Sequence, residues 1–298
     1  GISNPYDVMF LHTGNLNVPL NIREIIDTLF VKNAKKSLDK LNLRHRHYIK
    51  SEKYKGEIHF STGSNTARSS SNFYALNNGI ATLFEIRGVG IGKTSFKRRI
   101  NSGLAVGFSY LKTAFENSNF IFDQIDIANT YTNDIVLQHE RSIYTDVIKA
   151  IDIESNELID FTTIMHSSKD SYAISKRDRP IAYIIKKNNY AFIEKLNDIG
   201  VNYVEFEKDT MIYSGSYKVV EFNNNFKIYE KMKMQKVVTS IEYSENKFSK
   251  GDILISMNQK RSNLIAELLE PEAPNSYVSF GIIKTTLNSQ LPIYRIKN

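Results

Sequence analysis

Two residues of the 298-residue sequence have the type and the position for a shared metal-dependent chemistry. His12 directly follows the apolar run 8–11, and Glu85 directly follows the apolar run 80–84. Short apolar runs of this kind are typical of buried strands, and open α/β sheets place their ligands at the carboxyl ends of strands. If the two strands are parallel neighbours, an imidazole and a carboxylate meet at one edge of the sheet.

An imidazole beside a carboxylate suits a zinc site. Zinc accepts imidazole as a ligand and lowers the pKa of its bound water to about 7, and a nearby carboxylate can accept that water's proton. The alternative is a core histidine and a buried ion pair. Arg87 lies two residues after Glu85, so strand alternation places both on one face. There Arg87 can hold Glu85 in a structural ion pair.

The stretch 85–95, EIRGVGIGKTS, is similar to a phosphate-binding loop but has the wrong spacing. The P-loop needs G-x-x-x-x-G-K-[ST], and Gly92, Lys93 and Thr94 supply the end of it, whereas position 87 is arginine. The dinucleotide pattern G-x-G-x-x-G also fails, because Ser95 stands where its third glycine would be. The spacing argues against a nucleotide and favours a turn between a strand and a helix.

The composition is that of a globular protein, with 41% hydrophobic and 24% charged residues. No apolar run is long enough to cross a membrane, and no signal peptide is evident. The absence of cysteine excludes disulfides and thiolate metal sites. Residues 1–116 carry 17 Lys and Arg against 8 Asp and Glu, a balance of +9 that favours anionic partners. The basic run 44–50 has no nucleic-acid fold signature around it, so we interpret it as a solvated loop and expect no nucleic-acid partner.

The first part of the chain has an α/β pattern. The pattern predicts a strand at 8–11, a helix over 22–41 capped by Asn21, and a loop over 61–72. After the strand that ends at Glu85, a second helix is predicted from about residue 94 to 116. It carries large apolar residues at helical spacing: Phe96, Ile100, Leu104, Phe108, Leu111 and Phe115.

The second part predicts a smaller α+β domain. It has strand patterns at 181–185 and 201–206, a helix over 190–199 that stops at Gly200, and a helix over 262–269. Residues 210–256 are rich in strand patterns, with turns expected at 214–216 and 223–225. We therefore expect an α/β domain over residues 1–120, with a partial mixed sheet, followed by an α+β domain over 121–298.

Four motifs in the first part resemble, in order, the C-terminal half of the catalytic domain of bacterial zinc metallocarboxypeptidases of the funnelin type. They are FLHT at 10–13, NNGI at 77–80, FEIRG at 84–88 and KRR at 97–99. Three further stretches resemble the C-terminal extension of large bacterial members: RPIAY at 179–183, LIAELLEPEAPNSY at 264–277 and PIYR at 292–295. The resemblance spans nearly the whole chain and implies a mixed-sheet carboxypeptidase-like domain.

The resemblance also implies roles for the candidate residues. His12 matches the third zinc ligand of the family, and Glu85 matches its catalytic glutamate, a general base that later protonates the leaving amine. Arg87 is the candidate substrate-binding residue. The implied cofactor is zinc, the implied substrate is a peptide or a cell-wall peptide, and the implied location is extracytoplasmic, as for exported family members.

The sequence departs from the family in one important respect. The H-x-x-E motif that supplies the other two zinc ligands is absent, because no histidine has a glutamate three residues after it. Phe60 stands near the position where the family often has a substrate-covering tyrosine, and phenylalanine has no hydroxyl. We therefore expect a C-terminal piece of a longer enzyme, with the N-terminal half as its partner and with little or no peptidase activity alone.

A second hypothesis is a non-catalytic binding or structural module that is derived from the carboxypeptidase fold. The acidic residues Glu267, Glu270 and Glu272 do not decide between the two hypotheses. We interpret them as solvated carboxylates at a helix end, because a calcium site needs a looped array of ligands.

Overall fold

The computed structural model describes residues 1–297, and the side chains of all of these except Val89, Ile91, Tyr190 and Ala191. The chain forms two compact units. The first contains residues 1–128 and 140–172, and the second contains residues 129–139 and those from 173 onward. The domain division after residue 120 stays a prediction, and the compact units place the segment 140–172 with the first part of the chain.

The first unit is mixed α/β, with two sheets and several helices. Its three-stranded sheet has the order β3-β2-β6, and the five-stranded sheet has the order β1-β7-β8-β5-β4. The strands are β1 Ile2–Ser3, β2 Val8–His12, β3 His45–His47, β4 Ile49–Tyr54, β5 Glu57–Thr62, β6 Thr82–Ile86, β7 Ile135–Asp152 and β8 Leu158–Arg177. Residues 135–139 of β7 and 173–177 of β8 belong to the second unit. The helices are α1 Leu20–Ile25, α2 Lys32–Asp39, α3 Ser70–Leu76, α4 Phe96–Glu116 and α5 Ser118–Asn129.

The strand at 8–11 and the helix over 22–41 are confirmed as β2 and as the segment from α1 to α2. The helix departs from the prediction in two details. Its N-cap is Pro19 rather than Asn21, whose amide instead donates to the carbonyl oxygen of Gln124 at 2.8 Å. Between α1 and α2 the backbone widens into a π-helix over Ile26–Val31. The buried face of this helical segment, with Ile22, Ile26 and Phe30, contributes to the core of the first unit.

One loop prediction in the first unit is wrong, and a second is confirmed only for residues 63–69. The basic run 44–50 is not a solvated loop, because His45–His47 forms β3 with half-buried side chains and pairs in parallel with β2. The loop predicted over 61–72 begins inside β5 and ends inside α3. The first three residues of α3 are polar, and two of them, Ser71 and Asn72, are buried, so composition concealed the start of this helix.

The predicted turn after Glu85 is confirmed. Strand β6 ends at Ile86, a 3₁₀ segment covers Val89–Ser95, and α4 follows. Gly88 has φ of +128°, and a Cβ on it would lie 2.6 Å from side-chain atoms of Ser95 and Arg99. The close approach and the positive φ both require glycine, so this glycine serves the turn rather than a phosphate.

The second unit contains a six-stranded sheet in the order β10-β13-β9-β14-β11-β12, and all of its pairings are antiparallel. Its core joins this sheet to two helices. The strands are β9 Ala182–Ile185, β10 Val204–Glu205, β11 Thr210–Tyr229, β12 Met232–Phe248, β13 Ile253–Ser256 and β14 Gln290–Ile296, and the helices are α6 Tyr190–Asp198 and α7 Ser262–Leu269.

The strands and helices predicted for this part are largely confirmed, but the two predicted turns are wrong. Residues 214–216 and 223–225 lie inside β11, the second at a register shift. The chain reverses at Glu230 and Lys231, which have φ of 46° and 69°. Two positive φ values are typical of the type I′ hairpin turn, which usually carries Asn and Gly. The turn therefore lacked its usual sequence signal.

The acidic cluster near the end of α7 is buried, which corrects the solvated interpretation. Glu270 is fully buried and accepts hydrogen bonds from the hydroxyls of Tyr183 and Tyr217 and from Nη1 of Arg177, at 2.5, 3.0 and 2.6 Å. Arg177 also binds Glu272 at 2.8 and 3.0 Å. Burial alone would lower the pKa of Arg177, but the bonds to Glu272 and the charges of both glutamates raise it above its usual value.

Loss of this buried cation should destabilise the second unit strongly. We expect Arg177→Ala to lower the free energy of unfolding by about 3–5 kcal/mol, because it leaves two buried carboxylates without their partner. Lys247→Ala, which breaks an exposed pair with Asp209, is the matched control and should cost at most about 1 kcal/mol. Urea denaturation followed by circular dichroism measures both, and equal costs would show that the buried network is not stabilising.

Candidate metal centre

The parallel pairing of β2 with β3 brings two histidines together. The register places Phe10 beside His47, and His12 lies two residues beyond Phe10 on the same face of β2. The rings of His12 and His47 have their centroids 5.0 Å apart, in an edge-to-face arrangement. His12 is buried and His47 is half-buried. Both side chains therefore point to the face that the α1–α2 helical segment covers.

That helical segment supplies a carboxylate to the same place. Asp27 lies in the π-helix, where the backbone N–H of Lys32 donates to the carbonyl oxygen of Asp27, five residues back. A π segment inside an α-helix is rare and is frequent at functional sites. One ligand atom each from His12, Asp27 and His47 lies within 4.8 Å of the others. The three residues form what we call the His/Asp/His cluster.

The His/Asp/His cluster has unused donor capacity. Nδ1 of His12 and Nδ1 of His47 are buried and have no hydrogen-bond partner among the described residues. A buried nitrogen without a hydrogen-bond partner lowers the free energy of unfolding unless a ligand or a metal ion binds it. Both histidines also line a cavity of about 310 Å³, together with Lys35, Lys169 and Asp170. The cluster therefore opens to a space that a ligand can enter.

Burial keeps both imidazoles uncharged. It lowers the pKa of His12 to about 4, and the charges of Lys169 and Lys35 act in the same direction, while Asp27 opposes them. The pKa of His47 falls to about 3 through burial and the nearby ammonium of Lys35. Neutral imidazole is the form that binds metals. The cluster is thus in its metal-binding protonation state across the physiological pH range.

Two lysines occupy the neighbourhood of the cluster. Lys169 forms a hydrogen-bonded ion pair with Asp27, and Nζ of Lys35 lies 3.2 Å from Nε2 of His47. Burial would raise the pKa of Asp27, but the bond from Lys169 and the neighbouring positive charges keep it below its usual value. Burial lowers the pKa of Lys35. A site with an ionised carboxylate and a desolvated lysine has the perturbed groups that are typical of functional sites.

The donor set fits zinc in chemistry and nearly fits it in spacing. Two imidazoles and one carboxylate are a known set for catalytic zinc, which keeps its fourth position for water or substrate. Ligand atoms on tetrahedral zinc lie about 3.3 Å apart. The ligand atoms of the His/Asp/His cluster lie within 4.8 Å of one another, so zinc binding would shorten each of these separations by about 1.5 Å at most. Lys169 would have to release Asp27, and Lys35 would have to release Nε2 of His47, the nitrogen that lies 3.7 Å from Oδ1 of Asp27.

The loop after His12 is held by a close backbone approach. A Cβ on Gly14 would lie 2.4 Å from the carbonyl oxygen of Ser168, a distance that no side chain tolerates. The N–H of Gly14 donates to the carbonyl oxygen of Ser64 at 2.8 Å. Because Lys169 follows Ser168 directly, the glycine fixes the end of β2 against the segment that carries this cation.

The structure does not bring Glu85 to His12. Strands β2 and β6 are antiparallel, and Glu85 lies opposite Met9, so the predicted parallel arrangement is wrong. Three residues separate Met9 from His12, which is about 10 Å along the strand and places the two side chains on opposite faces. Glu85 is exposed. The pKa of Tyr48 is raised first by the burial of Tyr48 itself and second by the negative charge of Glu85.

Arg87 also lies away from the His/Asp/His cluster. Its backbone N–H donates to the carbonyl oxygen of Asp7 at 3.0 Å, and its side chain is exposed. Burial would raise the pKa of Asp7, but the bidentate bond from Arg98, at 2.6 and 2.8 Å, and the charge of Arg87 keep it low. Glu85 thus lies in β6 and Arg87 directly after it, towards the end of the strand opposite to the one that pairs with His12. Their predicted roles stay predictions.

Sequence reasoning missed Asp27, His47 and the two lysines. The alternation H-x-H at 45–47 was the available signal for His47, because residues two apart on a strand share a face. Asp27 had no such signal, since a π segment has no established sequence pattern.

No described helix combines the length and the apolar composition that crossing a membrane requires.

The fold and the site together define a mixed α/β chain with a buried His/Asp/His cluster in its first unit. No protein-family model matches the chain, and no solved structure matches it. Among curated proteins it is similar to carboxypeptidase 2 of Trichophyton equinum and of Trichophyton rubrum, each 28% identical over 301 residues. A probable carboxypeptidase 2 of Arthroderma benhamiae is 27% identical over 274 residues.

These matches cover most of this chain but about half of each relative. The two Trichophyton proteins match 98% of the chain and 55% of their own length, and the Arthroderma protein matches 89% and 51%. The similarity supports a carboxypeptidase-like relationship, and the relatives that show it are fungal.

The lowered pKa values give the metal-free protein an acid-sensitive stability. Both pKa values lie below 6.5 in the folded state, so the unfolded state binds more protons as the pH falls from 6.5 to 4. We expect the free energy of unfolding to fall over that interval, with about 2 kcal/mol of the loss due to His12. In His12→Gln this contribution should disappear. An identical pH dependence in wild type and variant, measured by urea denaturation, would contradict the assignment.

Proposed function

We propose that this chain is part of a zinc-dependent carboxypeptidase and that it supplies His12 to the metal. The observation that carries the proposal is the His/Asp/His cluster, with two uncharged imidazoles whose Nδ1 atoms have no described partner. The similarity to proteins named carboxypeptidase 2 supports the same reaction class. The resemblance of the motifs at 10–13 and 84–88 to the zinc metallocarboxypeptidases, funnelin type, supports the metal.

In this proposal His12, Asp27 and His47 hold the zinc. A zinc ion in such a site supplies Lewis acidity toward a peptide carbonyl and lowers the pKa of bound water. The protein's own contribution is a shaped cavity and two imidazoles that burial keeps neutral. Asp27 adds the negative charge that offsets part of the metal's charge. The lysines next to the cluster then turn from competing cations into groups that are free to bind an anion.

The substrate would be a peptide with a free C-terminal carboxylate. Lys35, Arg46 and Lys169 give the cavity a cationic lining, which suits such an anion. Arg46 already pairs with Asp146, and Lys35 and Lys169 contact His47 and Asp27. The two lysines are therefore better placed for the substrate carboxylate than Arg87, the residue that sequence reasoning selected. A cell-wall peptide and an extracytoplasmic location remain part of the proposal through the resemblance.

Glu85 can act as the general base only if the strands are arranged differently. As the chain stands, Glu85 is on the face of the sheet opposite to His12, so a water at the cluster lacks this base. Catalysis by Glu85 requires a chain or an assembly in which β6 presents its carboxylate to the metal. Asp170 also lines the cavity, where its Oδ2 accepts a hydrogen bond from the hydroxyl of Ser167 at 2.8 Å.

Zinc binding tests the proposal directly. Isothermal titration of the chain with zinc at pH 7 should show one site, and His12→Ala, Asp27→Asn and His47→Ala should each weaken it by at least about 100-fold, because each removes a ligand. The matched control is His45→Ala, since His45 lies two residues before His47 but pairs with Asp39 at 2.8 Å. Equal affinity in wild type and all three variants would refute the metal site.

Peptide release tests the enzyme. With zinc, the 298-residue chain alone should release little or no C-terminal residue from a free peptide, because Glu85 does not reach the cluster. An amidated peptide of the same sequence is the control, and chromatography of the products is the measurement. Robust release from the free peptide alone would show that the His/Asp/His cluster suffices for the reaction and that our placement of the base is wrong.

A non-catalytic binding module is the second candidate function. The separation of Glu85 from His12 favours it, because a binder needs the cavity and its cations but no general base. This candidate predicts that the chain binds a peptide with a free C-terminus, and loses it in Lys169→Gln, without any release in the presence of zinc. Affinity for the amidated peptide equal to that for the free one would exclude it.

A further inference from the structure

Helix α4 buries its polar side and exposes its apolar side to solvent. Its buried residues are Ser102, Val106, Ser109 and Thr113, of which three are polar. At 3.6 residues per turn, six large apolar residues fall on the opposite side of the helix. All of them are exposed, with exposed fractions of 45–85%: Phe96, Ile100, Leu104, Phe108, Leu111 and Phe115. We call these six residues the α4 face.

The α4 face is larger than the apolar surface that a monomer usually leaves in water. At roughly 200 Å² for each phenylalanine side chain, its three phenylalanines alone expose about 400 Å². With the three aliphatic side chains the area exceeds the roughly 300–600 Å² of the largest patch on a typical monomer. Patches of this size mark interaction sites. The α4 face therefore requires a covering partner.

Two observations indicate the kind of partner. The chain corresponds to about 55% of each Trichophyton relative, so the rest of those proteins has no counterpart among its 298 residues. Strand β6, which leads into α4, is a terminal strand of the three-stranded sheet and has a free edge in the described structure. An exposed apolar helix face and an unpaired sheet edge within one unit are features that a divided domain would leave.

The charges favour this partner over a second copy of the chain. The first 116 residues carry a balance of +9. On α4 itself Arg98 pairs with Asp7 and Lys112 with Glu116, which leaves Lys97 and Arg99 as the cations without an ion pair among the described residues. Two copies that met through the α4 face would bring these like charges together. A partner with an apolar centre and an acidic rim would gain from the same charges instead.

We propose that the α4 face is the docking surface for a polypeptide that is equivalent to the unmatched part of carboxypeptidase 2, whether this polypeptide is joined to the chain or separate. This inference rests on the proposed function for the identity of the partner. Burial of the α4 face supplies the apolar contact, and the polar side of α4 stays packed against α2 within the first unit. Docking completes the carboxypeptidase-like domain around the His/Asp/His cluster.

The absence of cysteine makes this surface measurable. Phe108→Cys introduces one thiol on the α4 face, and Ile228→Cys, at an exposed apolar position of β11, is the matched control. The probe is the part of Trichophyton rubrum carboxypeptidase 2 that lies outside the 301-residue match, used only in a preparation whose cooperative urea unfolding shows that it is folded. Without the probe, a maleimide should label both thiols at similar rates. With the probe, labelling of Phe108→Cys should slow at least 10-fold, and labelling of Ile228→Cys should not change.

Four outcomes would overturn the inference. The first is an unchanged rate at Phe108→Cys with the probe present, and the second is equal slowing at both thiols. The third is a dimer of the chain alone, seen by sedimentation, that Phe108→Asp dissociates, because a second copy then covers the surface. The fourth is binding of phosphatidylcholine vesicles that Phe108→Asp abolishes, because a lipid surface then takes that place.

The labelling readout needs neither zinc nor peptide release. Protection of Phe108→Cys in a complex that releases no residue from a free peptide would leave the inference standing and refute the proposed peptidase. Zinc binding at His12 without protection would do the reverse. Retained protection in the double variant Phe108→Cys with His12→Ala is expected, because His12 does not lie on the α4 face.

Discussion

The parallel register between β2 and β3 is the constraint on which the candidate site depends. It fixes His47 beside Phe10 and therefore near His12, and it turns both imidazoles toward the helical segment that carries Asp27. A slip of one residue in β3 would move His47 to the other face of the sheet. The pair would then be lost although every residue of the cluster remained in the sequence.

Burial determines the protonation state of the two histidines that this register brings together. The same helical segment that covers the strands removes water from the two rings, and desolvation keeps them neutral. Asp27 stays ionised there because Lys169 donates to it. The site thus holds one carboxylate and two lysines against two uncharged imidazoles. Such a site can exchange a lysine for a metal ion because both are cations that bind the same carboxylate.

The sequence was sufficient to predict most of the elements with a clear period. Strand β2, helix α4, strand β9 and helix α7 each carry an apolar pattern that tertiary packing did not override. Helix α3 and the type I′ turn at Glu230 and Lys231 were missed because their residues are not the usual ones. Strands β7 and β8 were missed as well, since long antiparallel strands depend on partners that are far apart in sequence.

Of the three residues of the His/Asp/His cluster, only His12 was predicted from the sequence. His12 stood out because it follows an apolar strand, and the structure places it in the cluster. Its supposed partner, Glu85, depended on the direction of a neighbouring strand, and an apolar run does not encode direction. For the same reason the α4 pattern predicted a helix correctly but not the side that faces water, because amphipathicity does not say which partner covers the apolar side.

The π-helix that holds Asp27 amounts to one additional residue in an otherwise α-helical segment. Deletion of a single residue within 26–31 would restore ordinary winding. Each residue before the deletion would then rotate by about 100° relative to those after it. The carboxylate would leave the histidines while the helix and its length hardly changed. An insertion or deletion of one residue is therefore, besides substitution of a ligand, a single step by which a lineage can gain or lose this cluster.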